Sequence, residues 1–279
     1  MRLLIIGCGY LGERVARGWP GKVMALTRSA DRAAEFEAAG WSPVRGDVCD
    51  PGLALPPADA VLWAVGMDRS AGRSMADVYV GGLANTLPRL PAGAPLVYVS
   101  SVGIYGQTDG AEVDESAPTE PTEESGRVVR DAEAELRRQR PDAIVLRFAG
   151  IYGPGRLLRR VEQVRAGDPV AGDPDAWLNL IHVHDGARVA RAALERGPAG
   201  VTWNVSDDHP PRRRDYYGEL ARLVGGPEPV FSGVPGPRPA NRRIVSRRVW
   251  PGLALTPDFP DYRFGLAASL GLPAPEIAE

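Results

Sequence analysis

Gly7-Cys8-Gly9-Tyr10-Leu11-Gly12 follows directly on the apolar run Arg2-Leu3-Leu4-Ile5-Ile6. A Gly-x-Gly-x-x-Gly between a buried strand and an opening helix restricts the fold more than any other feature of this chain. The first glycine permits a tight turn, the second lets a pyrophosphate approach the backbone, and the third lets the helix pack on the sheet. Gly7, Gly9, Tyr10, Leu11 and Gly12 are therefore expected to cradle a dinucleotide at the helix N-terminus, where backbone N–H groups face the anion. Cys8 reads as a small packed filler within the loop.

The rest of the first half keeps the rhythm that such a loop requires. Strands are predicted at 2–6, 23–27, 44–47, 60–65, 95–100 and 143–147, with helices at 10–19, 30–39 and 126–139. Continuous apolar strands alternating with helices imply a parallel sheet covered on both faces. Beyond about residue 150 the pattern loosens into Pro-, Gly- and Arg-rich loops, with helices near 157–166, 185–195 and 213–224. The fold class expected is α/β, a doubly wound Rossmann sheet with a smaller C-terminal lobe.

The end of the second strand selects the nucleotide. Sites for NAD usually carry Asp or Glu about 20 residues beyond the first glycine, to bind the ribose 2′-hydroxyl. Here that place reads Thr27-Arg28-Ser29. No carboxylate opposes a 2′-phosphate there, and Arg28 can pair with one, so the cofactor read is NADP(H). The alternative is that Arg28 is a solvated loop residue and Asp31 swings in. Asp47, with Val48 beside it, is placed to reach the adenine edge, or else to cap a turn. Ala64-Val65-Gly66, after the fourth strand, lets backbone pass under the cofactor.

Four further segments carry a family resemblance. Val97-Tyr98-Val99-Ser100-Ser101-Val102-Gly103-Ile104-Tyr105-Gly106 resembles the fifth-strand motif of extended short-chain dehydrogenases/reductases. Leu146-Arg147-Phe148-Ala149-Gly150-Ile151-Tyr152-Gly153-Pro154-Gly155 resembles their sixth-strand motif. Asn179-Leu180-Ile181-His182-Val183-His184-Asp185 resembles their returning His-Val-x-Asp segment, and Thr202-Trp203-Asn204-Val205-Ser206-Asp207 their late Tyr-Asn-Val strand. In this order the matches resemble the NAD(P)-dependent epimerase/dehydratase-like superfamily. The resemblance implies a Rossmann domain over 1–154, with 178–205 returning to it, and a substrate lobe over 155–177 and 206–279. It sets Ser100 beside the cofactor and Ser101 against a substrate oxygen.

The chain departs from that family where the chemistry is done. The family's Tyr-Gly-Arg-Ser-Lys segment aligns with Ser125-Gly126-Arg127-Val128-Val129, so Ser125 holds the tyrosine place and Val129 the lysine place. A shifted register cannot restore the pair, because no tyrosine lies between Tyr105 and Tyr152. Composition closes the matter: of 33 basic residues Lys22 is the only lysine, and it lies between the first helix and the second strand. The usual dyad supplies a proton carrier near neutral pH, and its loss removes that carrier. The Ser-Gly-Arg form is similar to the YeeZ-like atypical branch. Ser101, Ser125 and Arg127 remain as catalytic candidates. Ser101 polarises or positions, Ser125 holds a water or substrate oxygen or caps the helix, and Arg127 offers a fixed charge but no base.

Arg69 and Arg156 stand on loops expected at the carboxyl ends of strands and suit an anionic substrate, although arginine is nearly the only base available and must also occupy ordinary surface. A small, anionic or nucleotide-linked substrate is expected, for an oxidoreductase or epimerase; the alternative is a non-catalytic NADP(H)-sensing or scaffold protein on the same fold. A formal net charge of -2, and basic stretches without interleaved aromatics, argue against nucleic acid or a membrane surface. Two cysteines and three histidines give no disulfide framework and no metal site. A cytoplasmic location is expected, with a homodimer left open.

Overall fold

The computed structural model describes residues 1–233 and 240–275, apart from the side chains of Arg69 and Leu158. The chain runs β1 (Arg2–Ile6), α1 (Tyr10–Arg17), β2 (Lys22–Thr27), α2 (Ala30–Ala38), β3 (Ser42–Arg45) and β4 (Ala60–Trp63). A 3-10 turn at Arg69–Ala71 and a π-helical turn at Asp77–Gly81 lead into α3 (Gly82–Thr86). There follow β5 (Leu96–Ser101), β6 (Glu112–Val113), α4 (Glu124–Gln139), β7 (Ile144–Phe148), β8 (Gly150–Tyr152), α5 (Leu158–Arg165) and β9 (Leu180–His182). The last elements are α6 (Val183–Arg196), β10 (Thr202–Val205), α7 (Arg213–Val224), β11 (Arg243–Ile244), α8 (Val249–Gly252) and α9 (Tyr262–Ser269).

Seven strands form one parallel sheet in the order β10-β7-β5-β4-β1-β2-β3, flanked by helices. The doubly wound α/β fold read from the sequence is the fold observed. Leu3 to Ile6 of β1 are all fully buried, as a central parallel strand covered on both faces requires. From β3 at one edge the chain crosses to β4 on the other side of β1. This reversal lies between β1 and β4, and the carboxyl ends of strands at such a point are where open α/β sheets bind ligands.

Two units are compact in themselves. The first comprises Met1–Ile104, Thr119–Arg147 and Ala187–Trp203. Its core joins Leu4 and Ile6 to Val61, Trp63, Leu83, Tyr98 and Leu136. Trp63 is fully buried, and its indole N–H donates to Thr86 Oγ1 at 3.2 Å, so the large ring is covered without stranding its polar atom. The second unit comprises Tyr105–Pro118, Phe148–Gly186 and Asn204–Glu279. Its core gathers Tyr152, Val161, Leu180, Tyr216, Leu220 and Leu266, and two short strand pairs, β8 with β9 and β11 with β6, lie within it.

The third strand differs from the prediction. It occupies Ser42–Arg45 rather than 44–47, with Met24 opposite Ser42 and Thr27 opposite Arg45. Gly46 then leaves the strand and Asp47 turns the chain, its Oδ1 accepting the Cys49 amide at 2.9 Å. Helix α4 begins at Glu124, not 126, and Glu123 is its N-cap without a side-chain bond. Ser125 therefore lies inside the first turn and does not cap the helix. The helical stretch from Asp77 to Thr86 and the helix α9 were not foreseen.

Candidate functional site

The glycine loop is built as its sequence demands. Gly7 has φ +94°, and a Cβ there would fall 2.4 Å from the Ala64 carbonyl oxygen and 2.5 Å from Val65 N. The turn after β1 thus runs in direct backbone contact with Ala64 and Val65, and the Ala64 amide donates to Ile6 at 2.7 Å. Gly12 packs on Gly7 and Ile5, while Leu11, Val15 and Ala16 bury the inner face of α1. Gly9 is different. A Cβ on it would meet no atom within 4 Å, and it forms the N-cap of α1 without any side-chain cap. An open cradle over uncapped helical N–H groups fits a pyrophosphate.

Cys8 is buried, and loss of solvent, then the Glu13 charge, push its thiol up to about 12. It is a packed filler and carries no thiolate at neutral pH. Arg32 braces the loop from α2, donating to the Cys8 carbonyl at 3.1 Å and to Glu13 at 2.5 Å. Tyr10 carries the guanidinium of Arg14 over its ring at 4.0 Å.

Arg28 stands just beyond β2, where the sequence placed it, and is not isolated. Its guanidinium donates to Asp68 Oδ2 at 2.6 Å and lies 3.9 Å from Asp47 Oδ2, which Arg73 approaches to 3.6 Å. Asp47 thus serves a turn and stands between two guanidinium groups. Val48 beside it is buried in the core against Gly82, and its carbonyl accepts from Asn85 at 2.8 Å. Asp68 was missed by sequence reasoning; its partner lies 40 residues away in the chain, which no local pattern reveals. Tyr79 was missed too. It is half-buried on the π-helical turn, and burial pushes its phenol above the usual range.

The turns that carry Ser101 and Ser125 meet. A Cβ on Gly126 would fall 2.4 Å from the Gly103 carbonyl oxygen and 2.6 Å from Pro121 Cβ. Only glycine lets the start of α4 come so near the turn after β5, which accounts for the Ser-Gly-Arg sequence. Ser101 Oγ accepts the Gly103 amide at 3.0 Å, leaving its own O–H to donate elsewhere. Ser100 turns the other way and donates to buried Glu133 at 2.5 Å. Arg127 is exposed and donates to the Thr122 carbonyl at 2.7 Å, which ties α4 to its own approach loop. Val129, in the lysine place, is buried.

Arg156 belongs to the second unit, where it donates to the Ile151 carbonyl at 3.3 Å. Arg69 begins the 3-10 turn after β4, and its side chain lies outside the described residues. Among the described residues no cluster of three His, Cys, Asp or Glu can hold a metal, and no helix is long and apolar enough to cross a membrane.

Comparison with known proteins agrees with this geometry. The chain is 28% identical over 247 residues to protein YeeZ of Escherichia coli K12, spanning 82% of this chain and 86% of the relative. A conserved protein of unknown function from Silicibacter pomeroyi is 28% identical, with a TM-score of 0.78 over 97% of this chain and 99% of that one. A dTDP-glucose 4,6-dehydratase from Streptomyces venezuelae, solved with NAD, shares the fold at 22% identity, with a TM-score of 0.82 over 97% and 96% of the two chains. The family model of the NAD dependent epimerase/dehydratase family matches residues 3–206, and with glycine loop, sheet order and fifth-strand turn all in place, the chain belongs to that family.

Proposed function

We propose that the protein binds NADP(H) and acts as an oxidoreductase or epimerase on a small, anionic or nucleotide-linked substrate, without the Tyr-x-x-x-Lys dyad. The observation that carries the reading is the open, uncapped cradle at Gly9, with Arg28 beyond the neighbouring strand. Gly7, Gly9, Tyr10, Leu11 and Gly12 would hold the pyrophosphate, Arg28 the 2′-phosphate, and Asp47, Val48, Ala64, Val65 and Ser100 would line the nucleotide. When bound, the nicotinamide supplies hydride transfer. The reading assigns the nucleotide to 1–154 with 178–205, and the substrate to 155–177 and 206–279.

For the chain's own chemistry, Ser101 is the strongest group. Its oxygen accepts from the Gly103 amide, which leaves its proton to donate to a substrate oxygen that it would orient and polarise. Ser125, in the adjoining turn, has a hydroxyl to hold a water or the same oxygen. Arg127 is fixed to Thr122 and is assigned a supporting charge only. Arg69 and Arg156 are the groups assigned to an anionic substrate.

One observation favours a second reading. Val129 buries an apolar side chain at the lysine place, so nothing there lowers a hydroxyl pKa. A non-catalytic NADP(H) sensor would keep the glycine cradle and tolerate that loss. The two part in a single assay: NADPH oxidation across a panel of small and nucleotide-linked carbonyl compounds. Turnover that falls at least tenfold in Ser101→Ala supports the enzyme. Tight NADPH binding with no turnover across the panel supports the sensor.

A further inference from the structure

Two acidic and two basic side chains form one chain of contacts beyond the sheet. Asp68 bonds Arg28 at 2.6 Å, Arg28 stands 3.9 Å from Asp47, and Asp47 stands 3.6 Å from Arg73. Their formal charges cancel. Asp68 does not reach Arg28 by chance of rotamer. Its Oδ1 accepts both the Ser70 amide at 3.0 Å and the Ser70 hydroxyl at 2.6 Å, leaving Oδ2 directed at the guanidinium. These bonds and the Arg28 contact hold its carboxyl below the usual carboxylate range, so it is ionised at neutral pH.

We propose that Asp68 is a specificity-determining residue that competes with the nucleotide 2′-phosphate for Arg28. This inference rests on the NADP(H) reading above. The carboxylate offers Arg28 an oxygen acceptor of the same kind a phosphate would present and holds one of its amino groups at 2.6 Å, so a phosphate that reaches for that group must compete for it. A 2′-phosphate that takes both amino groups of Arg28 displaces Asp68, and its entry is then coupled to the Asp68–Gly72 turn. A nucleotide with a bare 2′-hydroxyl leaves the pair intact. Asp68 thus narrows the preference that Arg28 alone would create. Because Arg28 and Asp68 are both about half exposed, at 46% and 44% of their side chains, the competition is weak enough for phosphate to win.

The test is a set of fluorescence titrations with NADPH and with NADH on the full chain. Wild type, Asp68→Asn, Arg28→Ala and the double variant are compared, with melting temperatures confirming that each is folded. Asp68→Asn should tighten NADPH binding about fivefold and leave NADH within about twofold. The gain should vanish in the Arg28→Ala background. Ser70→Ala, which loosens the carboxylate without removing it, should give part of the gain. Unchanged or weaker NADPH binding in Asp68→Asn, or an equal change for NADH, overturns the competition. Failure of the nucleotide reading has another signature: Arg28→Ala then leaves NADPH affinity unchanged, whereas failure of the Asp68 inference alone leaves the Arg28→Ala loss in place.

Discussion

Arg147 on β7 closes on Glu133 of α4 at 2.7 Å, with each side chain only 10% exposed. The Ser100 hydroxyl donates to the same carboxylate, so strand β5, strand β7 and helix α4 are tied at one buried charge. The helix that carries Ser125 is thereby fixed on the strand that carries Ser101.

Breaking that pair should cost far more than a surface ion pair. Arg147→Met leaves the Glu133 charge buried without its counter-ion, an expected loss of about 3–5 kcal/mol. Equilibrium urea unfolding measures it. A loss below about 1 kcal/mol would mean that water reaches the carboxylate.

Gly126→Ala places a methyl group against the Gly103 carbonyl and Pro121. Backbone cannot yield as a flexible side chain would, so the start of α4 must move. A stability loss of about 1–3 kcal/mol is expected, together with a loss of any Ser101-dependent turnover. Thermal unfolding and the NADPH assay report the two effects separately.

Gly9→Ala behaves oppositely. The new methyl group meets no protein atom, so stability should stay within about 1 kcal/mol of wild type. The methyl group enters the space assigned to the pyrophosphate, and NADPH affinity should fall at least tenfold, about 1.4 kcal/mol. Unimpaired NADPH binding in a folded Gly9→Ala protein would remove the cradle from the account.

Asp207 gives the pH prediction. Burial drives its carboxyl well above the usual range, and the nearby Asp261 and Asp208 charges add to the effect; the His209 amide at 3.1 Å opposes it only in part. A carboxyl with a raised folded-state pKa favours the fold while protonated. That contribution is complete below the unfolded pKa and is lost as pH rises through the folded value. Asp207→Asn, which cannot ionise, should hold its stability better than wild type as pH rises from mildly acidic to alkaline. Melting temperatures across that range test it, and parallel pH profiles for the two proteins would contradict it.

Much of the glycine turn was legible in the sequence because its determinants are local. Gly7 needs its positive φ and its contact with Ala64, and an apolar strand followed by an amphipathic helix announces the turn between them. The third strand was misplaced because Ser42-Pro43-Val44-Arg45 is an edge strand, neither alternating nor uniformly apolar; pairing with β2 decides it. The expectation that the dyad is absent rests on Ser125 and Val129 at the tyrosine and lysine places and on Lys22 being the only lysine. The Arg28–Asp68 pair was not legible, since long-range ion pairs leave no periodicity, and Arg127 showed its charge but not the Thr122 carbonyl that engages it.

A nucleotide site that recognises a 2′-phosphate through Arg28 must distinguish NADPH from NADH. Melting temperatures with NADPH and with NADH at equal concentration, in wild type and Arg28→Ala, test it most directly. NADPH should give the larger rise in wild type, reduced in Arg28→Ala to the rise that NADH gives. Equal rises for the two nucleotides in wild type, or an Arg28→Ala protein that keeps the full NADPH rise, would contradict it.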